Sequence, residues 1–116
     1  MRALGSIEQR QLPLRGEIPR HYELVVDVLR DYLETAEAVP ARERTTGEVV
    51  WALPPHLSAD GLRENFRELL EEADSVKFAR ARPDLPAARR FLEQSRSLLT
   101  HWHAGRVSDY PANALR

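Results

Sequence analysis

The alternation of apolar and polar positions is helical almost wherever it is regular. From Pro19 onward, Tyr22, Val25, Val26, Leu29, Tyr32, Leu33 and Ala36 fall at the i, i+3, i+4, i+7 spacing of one helix face. Leu24 and Val28 widen that face, which predicts a central helix. Pro19 suits its first turn, where a missing N–H costs nothing, and Pro40 predicts its end, because the residue before a proline avoids helical angles. Thr45 and Glu48 have the spacing of a capping box, predicting a short second helix through Val49, Val50 and Leu53 that stops at Pro54-Pro55, with Trp51 near its edge. A third helix is expected with Ser58 as N-cap, the stripe Leu62, Phe66, Leu69, Leu70 and Ala73, and an end near Asp74. Ser75 to Asp84 is less regular, with Val76, Phe78 and Ala79 expected to point inward. Asp84 and Pro86 announce a fourth helix, whose stripe runs Ala88, Phe91, Leu92, Ser95, Leu98, Leu99 and Trp102 before Gly105.

No segment alternates with the period of a strand, and no internal repeat is present. The pattern therefore predicts an all-α, four-helix orthogonal or bundle-like single domain over 18–105. Residues 1–17 carry Leu4, Ile7, Leu12 and Leu14 without a sustained period and are expected to form a flexible arm or linker. Residues 106–116, with Pro111 and few anchors, are expected to be a flexible tail.

Composition narrows the function classes. The chain has 116 residues and a formal net charge of -1, without the basic excess that a nucleic-acid binder uses to neutralise phosphates. It has no cysteine, which excludes disulfides, thiolate catalysis and cysteine-based zinc sites. No apolar run approaches the roughly 20 residues of a membrane span, and residues 1–16 lack the apolar core of a signal peptide. Among the 17 cationic residues Lys77 is the single lysine; the arginine bias reads most simply as genome composition. Charge is segregated along the chain: 60–74 is rich in acids and 77–96 in bases, a pattern in which neighbours solvate and pair with one another.

The densest polar cluster is Glu43, Arg44, Thr45, Thr46 and Glu48. Thr45 and Glu48 serve the helix end, while Glu43 and Arg44 are placed to pair with Asp74, Lys77 or Arg30 if this connection folds onto neighbouring helices. Lys77 is also expected to pair with Asp74 at i, i+3. These eight residues form the candidate structural or interaction cluster, in which Arg44 and Lys77 have the chemistry to hold a carboxylate or phosphate. His101 and His103 lie two apart, so on a helix they point to nearly opposite sides and do not share a metal; His21, His56 and Asp109 add no diagnostic spacing. No catalytic constellation, metal site or cofactor motif emerges, and a non-enzymatic role is expected.

Three stretches, in order, carry a family likeness: HYELVVDVLRDYLE over 21–34, VPARERTTGEV over 39–49 and LLEEADSVKFARARP over 69–83. Together they resemble the helical C-terminal cytoplasmic module of bacterial membrane proteins associated with the Bat aerotolerance system. The resemblance covers about residues 20–103. It implies a cytoplasmic helical interaction domain, meeting the membrane only through a segment absent from this chain, with a protein partner and no catalytic residue. The alternative reading is a helix-turn-helix DNA-binding domain built from 45–53 and 58–74. Its recognition helix would carry Glu64, Glu68, Glu71 and Glu72 toward phosphates of the same sign, so no nucleic acid is expected as a partner.

Overall fold

The computed structural model describes the backbone of residues 2–114 and the side chains of 3–105. It is all-helical, with no strand among the described residues. Helix α1 spans Arg2–Arg10 and is followed by a 3-10 turn at Leu12–Arg15. Then come α2 (Ile18–Ala36), α3 (Thr46–Trp51), α4 (Pro55–Ser58), α5 (Leu62–Phe78) and α6 (Leu85–Ala114). No helix of the described residues is long and apolar enough to cross a membrane.

Helix α2 is central, packing on α1, α5 and α6. Four residues of the predicted stripe, Tyr22, Val25, Leu29 and Leu33, are buried, and Val26, Tyr32 and Ala36 are half-buried. The Tyr22 ring lies 4.3 Å from that of Phe91 on α6. Trp102 is fully buried, 5.2 Å from the Phe66 ring, and its indole N–H donates to the Leu57 carbonyl at 3.0 Å. That bond satisfies the one polar atom of a large apolar side chain and ties α6 to the short helix α4.

Several helix ends differ from expectation. Within the arm expected at 1–17, the described residues 2–17 are folded: α1 and the 3-10 turn bury Leu4, Ile7 and Leu12 against α2 and α6. Leu4 and Ile7 are three apart on one face of a single nine-residue helix, too short a stretch for periodicity to stand out. Helix α2 ends at Ala36, four residues before Pro40, because Ala38 takes a left-handed conformation (φ 56°) and the Val39 N–H reaches back to the Leu33 carbonyl at 2.8 Å. Ser58 opens no helix; as the last residue of α4 it donates its hydroxyl back to the carbonyls of Pro54 and Pro55 at the start of that helix. Helix α5 starts instead after left-handed Gly61 (φ 81°). It runs past Asp74 to Phe78, where left-handed Arg80 and an Ala81 N–H bond to Ser75 O repeat the closure seen on α2. Val76 is buried as expected, but Phe78 and Ala79 are exposed, Phe78 by 71%. Asp84 does open α6, accepting the Ala87 N–H at 2.9 Å. The helix continues through Gly105 to Ala114, where a tail was expected; the side chains of 106–116 lie outside the described residues.

Candidate functional site

The connection 41–46 is where the candidate residues meet. Arg30 on α2 sends Nη1 to the carbonyls of Ala41 and Arg44, the latter at 2.8 Å. Glu34, one turn further along α2, accepts the backbone N–H groups of Ala41 and Arg42 at 3.2 Å each. The Arg42 guanidinium folds back onto Glu34 at 3.0 Å and onto Asp31. From the other side, the Thr46 hydroxyl donates to Asp74 of α5 at 2.6 Å. A loop of this length has unpaired backbone groups, and here side chains of α2 supply their partners.

The capping box forms as its spacing requires. The Thr45 hydroxyl accepts the Glu48 N–H at 3.2 Å, and the Glu48 carboxylate accepts the Thr45 N–H at 2.9 Å. The bond from the Thr45 N–H favours the ionised carboxylate and, with the Thr45 hydroxyl beside it, holds the Glu48 carboxyl below its ordinary range. Burial pulls the Arg30 guanidinium down from its ordinary range, against the opposing pull of Asp74 and Asp27.

Between α2, this loop and the end of α5 runs an open groove of about 630 Å³. Six of the eight candidate residues line it: Arg30, Arg44, Thr45, Thr46, Asp74 and Lys77. Glu48 stands behind it as the cap. Glu43 is exposed and engaged in none of the described hydrogen bonds or ion pairs. The expected Lys77–Asp74 pair is absent among the described ion pairs, because Asp74 turns to Thr46 while Lys77 Nζ lies 5.2 Å from the Phe78 ring. Arg44 approaches Glu48 at 4.0 Å rather than Asp74.

Sequence reasoning missed the apolar half of the groove. Pro19, Val26, Ala73, Val76 and Phe78 line it beside the charged residues. Val26 and Ala73 belong to helix stripes and read as core, and Val76 and Phe78 read as inward-pointing residues of an irregular segment. The signal for the clamp was stronger: Arg30 and Glu34 lie one turn apart on α2, immediately before a polar loop in need of partners.

Two further groups of polar side chains are the histidines of α6 and the acids of α5. His101 and His103 are both exposed on α6, His101 Nδ1 sharing a hydrogen bond with its own helix at Ser97 O. No group of three or more metal-ligating side chains occurs among the described residues. On α5, Glu64 and Glu71 are engaged by Arg67, and Glu72 accepts the Tyr22 hydroxyl at 2.8 Å. Comparison with family models, curated proteins and solved structures finds no match for this chain.

Proposed function

We propose that this chain is a non-enzymatic helical interaction module whose groove between α2, the 41–46 loop and the end of α5 docks a segment of a partner protein. One observation carries the reading: Phe78, an aromatic side chain 71% exposed, stands on the rim of a groove whose loop wall is clamped by Arg30, Glu34 and Thr46. A large exposed apolar side chain beside a rigid concave surface is the composition of a binding hot spot. The least engaged cations of the groove, Arg44 and Lys77, suit a partner segment that presents a carboxylate next to an apolar side chain. In this reading α2, α3, α5 and α6 form a four-helix frame, braced by α1 and α4.

The likeness to the Bat-associated module suggests the setting, the cytoplasmic side of a bacterial membrane-linked system. With no matching family model, that setting rests on the three quoted stretches alone. DNA binding is the weaker reading, because the exposed face of α5 carries Glu64, Glu68 and Glu71.

The test is a cross-linked pull-down from source cells with three baits: the wild-type chain, Lys77→Glu and Phe78→Ser. Recovery of one protein by the wild type, weakened at least about tenfold by both substitutions at unchanged melting temperature, is the expected result. Equal recovery by all three baits would place the docking surface elsewhere.

A further inference from the structure

A second feature, on the opposite side of α2, is independent of the groove. His21 is only 3% exposed. Its Nε2 bonds the Ala88 carbonyl of α6 at 2.9 Å, so this nitrogen carries the proton and Nδ1 is left as an acceptor. Nδ1 is buried with no hydrogen-bond partner. The ring borders a cavity of about 420 Å³ between the N-terminal segment (Ile7, Glu8 and Gln11) and α6 (Leu85, Arg89 and Glu93).

We propose that His21 is a proton-operated latch: taking up a proton on Nδ1 releases the N-terminal segment, residues 2–16, from α2 and α6. A protonated Nδ1 is a buried donor carrying a charge, and nothing at its present position accepts from it. The charged groups at this junction do not compensate. Glu8 of α1 and Glu93 of α6 are both held by Arg96, at 3.1 and 2.6 Å, and Arg89 of α6 is a cation in none of the described ion pairs. On α2 itself, Arg20 is paired with Glu23, and Tyr22 presents its ring edge-on at 5.7 Å.

The segment is built to come away as a unit. It ends at left-handed Gly16 (φ 76°), a natural pivot, and holds the body through buried Leu4, Ile7 and Leu12 and the exposed Glu8–Arg96 bridge. Burial pulls the His21 pKa below its ordinary 6.5, against the smaller opposing effect of the Ala88 bond. The open form therefore binds the proton more tightly than the closed form. The neutral His21 contribution to closure is fully present well above pH 6.5 and is lost as pH falls from there through the lowered value.

Amide hydrogen exchange on the full chain between pH 7.5 and pH 5, corrected for intrinsic chemistry, reads this directly. Protection of residues 3–12 is expected to fall about tenfold or more while α5 keeps its protection. His21→Gln retains an N–H for Ala88 O and cannot be charged, and it removes the effect. A chain carrying His56→Gln, His101→Gln and His103→Gln keeps it, which also covers the case in which His21→Gln does not fold. Unchanged or increased protection at low pH, simultaneous loss across all helices, persistence in His21→Gln, or disappearance in the triple substitution would each overturn the latch.

Discussion

Arg30 shows how one side chain sets the shape of the groove. Its Nη1 holds two carbonyls of the 41–46 loop. Arg30→Met leaves both carbonyls short of a donor and is expected to cost about 2 kcal/mol. Thr46→Val removes a single bond to Asp74, whose carboxylate is part-exposed and regains water, and is expected to cost about 1 kcal/mol. Urea denaturation of both variants checks the ranking; an Arg30→Met midpoint at or above that of Thr46→Val would mean that the loop does not depend on the clamp. Individual residues were only partly legible in sequence. Thr45 and Glu48 declare their bonds through a fixed local spacing. The Thr46–Asp74 bond joins residues 28 apart, and no local pattern reveals it.

At the scale of helices, α2 and α5 end alike. Each is closed two residues past its last turn by a left-handed residue, Ala38 and Arg80, and by an N–H reaching back six positions. Neither residue is the glycine that such a position favours, so each helix end carries a steric cost. Ala38→Gly and Arg80→Gly are each expected to stabilise the fold by about 0.5–1 kcal/mol, the relief of the left-handed strain outweighing the added chain entropy. Gly61→Ala, at φ 81°, is expected to destabilise by about 1 kcal/mol. Thermal melts decide; a lower melting temperature for both glycine variants would reject this account of the helix ends. These stops also explain why helix bodies were legible and their limits were not. A stripe such as Tyr22 to Leu33 is a periodic signal, whereas a stop made by alanine or arginine in an unusual conformation resembles helix continuation. Phe78 was misplaced for that reason: with α5 ended early it reads as a core residue of a loop, but as the last residue of an extended helix it stands on the exposed side.

For the whole molecule, the N-terminal segment is part of the core. Leu4 is fully buried and Leu12 nearly so. Leu4→Ala is therefore expected to cost about 2–4 kcal/mol, as for other buried leucines, whereas a mobile arm would tolerate it without change. Equilibrium unfolding of Leu4→Ala separates these cases, a shift below about 0.5 kcal/mol contradicting the docked segment. The all-helical class followed from the period of the apolar residues alone. The site did not, because a groove arises where three separated segments meet: α2, the loop and the end of α5. The polar half of that meeting place was readable as a dense cluster with unused bonding capacity. The apolar half was hidden within stripes that serve the core.

The central claim is that this groove docks a partner, and site-specific photo-crosslinking in source cells tests it most directly. A photoreactive residue replaces Phe78 on the groove, with Leu14 and Trp51, both exposed and outside its lining, as controls. The account predicts a discrete adduct from position 78, abolished by Lys77→Glu, and only background from positions 14 and 51. Adducts of equal strength from all three positions, or from a control position alone, would contradict it.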